Sequence, residues 1–150
     1  MRHFHWLRGV YASVLAAGVL VLAGCSHEAS EAQVRTRVAA LQPAIDARDA
    51  GAVHALLADD FIGNDGLDKQ GARRLATGLF LRYRNVGLRL GPVDVRLRGD
   101  ADATARFTVL ATGGSGGLLP DSGQVYAVET GWRWIDGAWR LRSAQWRAAR

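Results

Sequence analysis

The chain has 150 residues, of which 49% are hydrophobic and 22% charged, and its 19 basic and 14 acidic residues give a net charge of +5. This length corresponds to about one domain, and the balance of apolar and charged residues is that of a globular protein and not of a disordered one. The single cysteine excludes an intramolecular disulfide framework and any metal cluster held by several cysteines.

The beginning of the chain has the organisation of a secretory signal peptide. Residues 1–13 carry Arg2 and Arg8 and no acid, and residues 14–24 (VLAAGVLVLAG) carry no charge. This apolar run is too short to span a bilayer, which requires about 20 helical residues. A basic start, a short apolar segment and small residues at its end predict a cleaved signal peptide over residues 1–24.

The residues at the end of this segment, Leu22-Ala23-Gly24-Cys25, resemble the lipobox of bacterial lipoproteins. The resemblance implies that the chain is cut before Cys25, that its thiol carries a diglyceride, and that this lipid anchor holds the protein on the membrane. Two or more acyl chains are enough for stable anchoring. Residues 25–30 are then the lipidated cysteine and a short tether.

The same resemblance predicts a place in the cell and excludes one class of partner. It implies a protein of the bacterial cell envelope that faces the periplasm, and Ser26 in place of Asp favours the outer membrane over the inner one. Loss of residues 1–24 removes Arg2 and Arg8, which leaves 17 basic and 14 acidic residues and a net charge of +3. Nucleic acid is not an expected partner, because the protein is exported and its mature charge is small.

Residues 31–150 are predicted to form one domain that begins with helices. Ser30 and Gln33 have the spacing of a capping box, and a break is expected at Pro43 because proline lacks a backbone N–H group. One buried stripe follows at helical spacing: Val34, Val38, Leu41 and Ile45. A second helix, which Asp49 can cap, is expected over residues 52–58, and a third runs from a cap at Asp68 to about residue 84. Its predicted inner face consists of Leu75, Leu79, Phe80 and Tyr83.

After Gly87 the apolar pattern changes to a period of two, which is typical of strands. Four strands are predicted, over residues 93–98, 103–111, 124–135 and 138–146, with hairpin turns at Gly99-Asp100 and Asp136-Gly137. The glycine-rich segment 112–123 is predicted to be a mobile hairpin loop. Helices followed by consecutive strands predict an α+β fold with N-terminal helices packed on a curved antiparallel sheet.

Two segments resemble nuclear transport factor 2-like domains, the superfamily that includes SnoaL-like cyclases and ketosteroid isomerases. Residues 47–61 (ARDAGAVHALLADDF) resemble the opening of these domains, and residues 131–146 (GWRWIDGAWRLRSAQW) resemble their final hairpin. The resemblance covers residues 31–146 and implies a cone in which helices wrap a twisted sheet around a pocket. It does not define a function, because this scaffold hosts enzymes, binding modules and structural modules.

The resemblance to ketosteroid isomerases implies three catalytic positions, of which this chain keeps one. The general base falls on Asp65, the oxyanion-binding tyrosine on Leu41 and the second acid on Thr130. Leucine at position 41 removes a donor that such a reaction needs, so the chain carries no complete catalytic set. Asp65 is the single candidate base, and it lies in Gly-Asn-Asp-Gly, where an aspartate commonly stabilises a turn.

The third predicted strand supplies candidate ligand contacts. Tyr126, Thr130 and Trp132 alternate onto one of its faces, and the resemblance implies that this face lines the pocket. With Asp65 they form the set of candidate ligand-binding residues. Trp139 and Trp146 fall on opposite faces of the last strand by strict alternation, so a bulge or an edge position is required for at least one of them.

These observations lead to one function hypothesis and two alternatives. No metal site and no cofactor are expected, since His54 has no partner at metal-ligand spacing. The leading hypothesis is an envelope lipoprotein whose domain binds a small apolar ligand in the cone, or a protein partner, without catalysis. The first alternative is a SnoaL- or ketosteroid isomerase-like enzyme that acts on a small apolar substrate with Asp65 as general base. The second is a structural module that forms a homodimer through its sheet.

Overall fold

The computed structural model describes residues 28–116 and 122–150. The predicted signal peptide, the lipobox with Cys25 and the start of the tether lie outside the described residues. Four helices come first: α1 Glu31–Ala39, α2 Leu41–Asp46, α3 Ala50–Leu56 and α4 Lys69–Arg82. Six strands complete the domain: β1 Leu57–Ile62, β2 Asn85–Leu90, β3 Asp94–Arg98, β4 Asp102–Gly114, β5 Ser122–Ile135 and β6 Ala138–Ala148.

Three of the helices begin at side-chain caps that the sequence predicts. The side chains of Ser30, Asp49 and Asp68 each accept a hydrogen bond from the backbone N–H group three residues further along the chain. These bonds satisfy donors that have no partner inside a helix. The caps confirm the predicted helix starts at Ser30 and Asp68, and they move the start of the short α3 to Ala50 from the expected position 52.

The helix break near Pro43 is also confirmed. α1 ends at Ala39 and α2 begins at Leu41, so Pro43 lies in the first turn of a new helix. Backbone N–H groups in the first turn have no partner within the helix, so a proline there removes no hydrogen bond of the helix. The bend directs Leu41 and Ile45 toward a different part of the sheet from Val34 and Val38.

The sheet contains the four predicted strands and two further ones. Its order is β1-β6-β5-β4-β2, and β3 pairs with the other half of β4. β4 pairs antiparallel with β2, β3 and β5, and β5 pairs antiparallel with β6. β1 lies parallel to β6, which makes the sheet mixed. The predicted α+β architecture is therefore confirmed, with one parallel strand at an edge where an entirely antiparallel sheet was expected.

The hairpin turns have the backbone conformations that their residues favour. Asp136 and Gly137 both have positive φ angles, of 49° and 79°, and Gly99 has a φ of 67°. Two consecutive residues with positive φ form the tight turn whose twist matches a β-hairpin. β4 extends to Gly114 and β5 begins at Ser122, so the predicted loop is shorter than segment 112–123, and its residues 117–121 lie outside the described part of the chain.

A β-bulge in β6 brings both of its tryptophans to the inner face of the sheet. Gly131 pairs with Ser143 and Trp132 pairs with Leu141, so Arg142 is an extra residue with no partner of its own on β5. The bulge shifts the alternation by one position, as the spacing of Trp139 and Trp146 required. Both rings now contribute to the interior, Trp139 in the core and Trp146 packed against it.

The inner face of the sheet is covered in two different ways. Under α1 it forms a filled core in which Val34, Val38, Trp132 and Trp139 are at most 1% exposed. Under α2 and α4 a cavity remains between the apolar side chains of the helices and those of the sheet. Of the predicted stripe, Val34 and Val38 belong to the core, and Leu41 and Ile45 line the cavity. Within the described residues no helix has the length and apolar character to cross a membrane.

Candidate functional site

The cavity lies between the helices and the inner face of the sheet and has a volume of about 700 Å³. Leu41 and Ile45 of α2 and Leu75 and Leu79 of α4 form its helical wall. The opposite wall is made by inward-facing residues of β2, β4, β5 and β6: Leu88, Phe107, Val109, Val128, Leu141 and Ala144. Leu141 and Ala144 flank the bulge of β6, where the strand bends.

Two leucines of α4 line the cavity and are only partly covered by neighbouring side chains. Leu75 is 47% exposed and Leu79 is 42% exposed, although both lie on the side of α4 that faces the sheet. Leu81 is 81% exposed and is not among the lining residues. The predicted inner face of this helix is confirmed, since Leu75, Leu79, Phe80 and Tyr83 all line the cavity. The exposure of Leu75 and Leu79 means that neighbouring side chains leave part of this helical wall uncovered.

The described residues that line the cavity include no aspartate, glutamate, histidine, lysine or arginine. Its polar side chains are two tyrosines, a serine, a threonine, a glutamine and one indole: Tyr83, Tyr126, Ser122, Thr130, Gln124 and Trp146. Ser122 and Gln124 lie together on the inner face, because they pair there with Gly113 and Ala111 of β4, whereas Thr112 pairs with Gly123 and directs its side chain to the outer face beside Leu110. This group marks the polar end of the cavity, far from Thr130 in the middle of β5.

Thr130 is the buried polar group of the site and is only 2% exposed. Its hydroxyl donates a hydrogen bond to the carbonyl oxygen of Ala105 at 3.0 Å and accepts one from the indole N–H of Trp132 at 2.9 Å. Of the four predicted ligand-binding residues, Thr130 and Tyr126 line the cavity. Trp132 lies on the same face of β5 but in the filled core under α1, where its indole fixes the Thr130 hydroxyl.

The structure places Asp65, the candidate base, outside the cavity. It lies in the short turn Asn64–Gly66 with a φ of 56°, and it lines a separate, solvent-open cleft of about 500 Å³ together with Asp68 and Arg74. Leu67, Leu75 and Trp146 separate the cleft from the cavity, since they line both. Aspartate is among the few residues that tolerate a left-handed backbone conformation, which accounts for its presence in this turn.

Asn64 holds this turn against the end of β6. Its side-chain amide donates to the carbonyl oxygen of Trp146 at 2.7 Å, and its side-chain oxygen accepts from the backbone N–H of Trp146 at 3.2 Å. The side chain thus takes the place of a backbone peptide beside the strand and continues the pairing of β1 with β6. The two bonds fix Trp146, and therefore the wall between the cleft and the cavity.

The charged groups nearest to this region pair on the outside of the fold. A hydrogen bond from Lys69 at 2.9 Å lowers the pKa of the exposed Asp59, and one from Arg142 at 3.0 Å lowers the pKa of the exposed Asp60. On the outer face of the sheet Arg106 contacts Glu129 at 2.6 Å and Arg133 contacts Asp102 at 2.8 Å. Screened pairs of this kind contribute little to stability. None of these carboxylates lines the cavity.

The residues that could bind a metal do not come together in the described part of the chain. No group of three histidine, cysteine, aspartate or glutamate side chains there is close enough to hold an ion. His54 is half-buried in α3, and its ring nitrogen lies 3.5 Å from the side-chain amide of Gln70. The sequence did not predict the polar end of the cavity, because Ser122 falls in the segment 112–123 that was predicted to be a loop.

Comparison with known proteins agrees with this architecture. No protein-family model and no curated protein matches the sequence. Solved structures do match, among them a nuclear transport factor 2-like superfamily protein from Salmonella enterica, with 17% identity, a TM-score of 0.67, and coverage of 79% of this chain and 90% of that one. A nuclear transport factor 2-like protein of unknown function from Pseudomonas putida is similar at 18% identity and a TM-score of 0.67, over 79% and 86% of the two chains.

A third similar structure is a Novosphingobium aromaticivorans protein provisionally named a scytalone dehydratase. It has 13% identity and a TM-score of 0.67, over 79% of this chain and 83% of that one. At such identities the likeness concerns the fold, and it shows that this domain has the nuclear transport factor 2-like fold. The predicted cone is therefore confirmed.

Proposed function

We propose that this protein is a lipid-anchored envelope lipoprotein whose domain binds a small apolar ligand in the cavity and does not transform it. The observation that carries the binding proposal is the composition of the cavity wall. About 700 Å³ of space is bounded by apolar side chains and a few hydroxyls, with no carboxylate, imidazole, amine or guanidinium among the described lining residues.

The size and lining of the cavity support binding in energetic terms. Small-molecule sites have volumes of about 300–1,000 Å³ and are mostly apolar, with a few polar groups that orient the ligand. Each Å² of apolar ligand surface removed from water favours binding by about 25 cal/mol, so the transfer of an apolar molecule from water into the cavity is favourable. General acid–base catalysis needs a proton-transfer group within hydrogen-bond reach of the substrate, and Asp65 lies beyond the wall formed by Leu67, Leu75 and Trp146.

We expect the affinity for a neutral apolar ligand to be independent of pH between about 5 and 8, because histidine is the side chain that ordinarily changes charge there and none of the described lining residues is a histidine. Equilibrium dialysis of decan-1-ol against full-length protein in a non-ionic detergent, with protein-free micelles as the blank, measures the dissociation constant. Asp65→Asn is expected to bind the ligand as the wild type does, since its carboxylate lies outside the cavity.

The same samples distinguish binding from catalysis. Absence of saturable binding to the wild type would contradict the proposal. Conversion of a component of a total envelope lipid extract by the wild type, lost in a folded Asp65→Asn variant, would favour the isomerase-like enzyme instead. Circular dichroism of both proteins establishes that the variant is folded.

The lipid anchor is supported by the resemblance to a lipobox and by the small number of residues between Cys25 and the domain. Ala29 packs against the core and α1 is capped at Ser30, so only three residues of the sequence, 26–28, separate Cys25 from the packed domain. Three residues reach at most about 11 Å, which would hold the domain against its membrane.

Mass spectrometry of the N-terminal peptide is expected to show a mature chain that begins at acylated Cys25, in the outer-membrane fraction. Cys25→Ser is the matched control and should leave the signal peptide uncut and the chain without acyl groups. An unmodified Cys25 in the wild-type protein would refute the anchor while leaving the binding proposal intact.

A further inference from the structure

The polar end of the cavity is also its more accessible end. β5 carries polar residues at three consecutive inward positions, Ser122, Gln124 and Tyr126, and continues along the same face with Val128 and Thr130. Ser122 and Gln124 are exposed although they line the cavity, whereas Thr130 is buried. Six residues of a strand advance by about 20 Å. The cavity therefore matches a molecule with a polar head near Gln124 and an apolar tail that extends toward Thr130.

The side chains at this end can donate hydrogen bonds to such a head. Tyr83 and Tyr126 line the cavity, and their hydroxyls donate to no acceptor in the described part of the chain. The side-chain amide of Gln124 donates one N–H to the carbonyl oxygen of Val125 at 2.9 Å, and its second N–H remains. A carboxylate accepts hydrogen bonds and donates none, and its charge makes each bond stronger. The donors therefore favour an anionic head.

Two arginines border the same end. The ring of Tyr83 packs against Gly113 near the end of β4, and the guanidinium carbon of Arg82 lies 5.5 Å from the centre of that ring. The side chain of Arg84 passes so close to Gly116 that a Cβ there would lie 3.2 Å from its Cδ. The ion pairs found among the described residues involve neither arginine. Both therefore contribute positive charge beside the polar end.

The end of α4 does not cancel this charge. A helix C-terminus carries partial negative charge on its free carbonyl oxygens, which would oppose an anion. Arg48 covers it by donating to the carbonyl oxygen of Phe80 and, at 3.2 Å, to that of Arg84. The carboxylate of Asp46, at the end of the neighbouring α2, contacts Arg89 at 3.0 Å. The charge of Arg84 and of its neighbour in α4 thus remains available to a ligand.

We propose that the cavity binds long-chain carboxylates, with the tail among its apolar side chains and the carboxylate at the polar end. The inference rests on the proposed function, because it names the chemical class of the ligand for the same cavity. The tail provides the affinity that any apolar ligand would have. The head adds hydrogen bonds from Tyr83, Tyr126 and Gln124 and attraction to Arg82 and Arg84. Positive charge at the accessible end of an apolar cavity attracts anions and repels cations.

Three ligands with the same alkyl chain test the sign of the charge: decanoate, decan-1-ol and decylammonium. At about pH 8 the first is an anion, the second is neutral and the third is a cation. Equilibrium dialysis against full-length protein in a non-ionic detergent, with protein-free micelles as the blank for each ligand, measures the three dissociation constants. We expect decanoate to bind about fivefold more tightly than decan-1-ol, and decylammonium more weakly than both. Sodium chloride at about 0.5 M should remove most of the difference.

The double variant Arg82→Gln/Arg84→Gln removes both charges and keeps the backbone carbonyl group that Arg48 binds at position 84. It is expected to bind decanoate about fivefold more weakly than the wild type and decan-1-ol with unchanged affinity. Arg73→Gln/Arg147→Gln is the matched control, because it lowers the net charge equally at two exposed arginines that do not line the cavity. This control should bind both ligands as the wild type does.

The outcomes separate the two proposals. Absence of saturable binding of all three ligands would overturn the proposed function itself. Decan-1-ol that binds as tightly as decanoate, or a preference for decanoate that persists in folded Arg82→Gln/Arg84→Gln, would overturn the carboxylate inference and leave the apolar binding site standing. Thermal unfolding followed by circular dichroism shows whether each variant is folded. If the double variant is not folded, the order of the three ligands in the wild type and its dependence on salt decide the question.

Discussion

Replacing Leu75 and Leu79 together with tryptophan is expected to weaken binding of an apolar ligand by about tenfold or more. Both side chains point into the cavity from consecutive turns of α4, and their exposed fractions of 47% and 42% leave room for the larger rings. Excluding about 60 Å² of ligand surface from the cavity removes about 1.5 kcal/mol at 25 cal/mol per Å², which corresponds to about tenfold in the dissociation constant.

The matched control places the same two rings outside the cavity. Ile62 and Leu81 are 56% and 81% exposed and do not line it, so Ile62→Trp/Leu81→Trp should bind decan-1-ol with wild-type affinity. Equilibrium dialysis measures both dissociation constants under the same conditions. Equal affinities of the two double variants would show that the ligand binds elsewhere, for example on the surface. The cavity variant is expected to unfold at the wild-type temperature or above it, because its new rings occupy empty space.

Replacing Trp139 with alanine is expected to lower the free energy of unfolding by about 3–5 kcal/mol, the usual loss for a fully buried tryptophan. The ring is 1% exposed and meets Trp134 edge-to-face at a centroid distance of 5.8 Å. Its indole N–H donates to the side-chain oxygen of Gln33 at 3.1 Å, and its carbonyl oxygen accepts from Arg37 at 3.0 Å. Trp139 thus joins α1 to β6 at the filled end of the sheet.

Gln33→Ala is the control that separates the hydrogen bond from the packing. It removes the acceptor of the indole N–H and leaves the ring in place, so a loss of about 0.5–1.5 kcal/mol is expected. Urea unfolding curves give both values, provided that the dependence on denaturant concentration is the same in all three proteins. A loss below about 1.5 kcal/mol in Trp139→Ala would contradict the tight packing described for this end of the core.

The parts of the fold that the sequence predicts are those with local causes. The caps at Ser30 and Asp68 depend on a side chain and a backbone group three residues away, and both are present. The hairpin at Asp136-Gly137 depends on two residues that accept positive φ angles. The requirement for a bulge between Trp139 and Trp146 follows from counting residues along one strand, and the structure places it at Arg142.

The two strands that the sequence did not predict are stabilised by contacts distant in the chain. β1 contains Asp59 and Asp60 in its middle, which hides the alternation of a strand. Its acids are accommodated because Lys69 and Arg142 lie beside them. β2 is short and contains Gly87, and it depends on pairing with the far end of β4. No pattern within either segment carries this information.

The sequence predicts only part of the site, because the cavity also depends on contacts distant in the chain. The alternation of β5 correctly places Tyr126, Thr130 and Trp132 on one face of the sheet, but the helices above that face decide which residues meet a cavity. α1 covers Trp132, whereas α2 and α4 leave space above Thr130 and Tyr126. The path of three helices over a sheet is a property of the whole fold and cannot be obtained from the strand. Asp65 was a candidate because of its position in the sequence, but the structure accounts for it by the turn Asn64–Gly66 in which it lies.

The helix break before Pro43 also brings Asp46, at the end of α2, to the free edge of β2. One oxygen of its carboxylate accepts the backbone N–H of Leu88 at 3.0 Å and the other contacts Arg89 at 3.0 Å. A strand of another molecule could add itself to the sheet by bonding to such an outward-facing N–H group. The neighbouring edge strand β3 carries charged side chains, which also oppose such pairing: Asp94, Arg96 and Arg98. At this edge the domain therefore carries its own protection against the addition of a strand from another molecule, which is a common first step of aggregation.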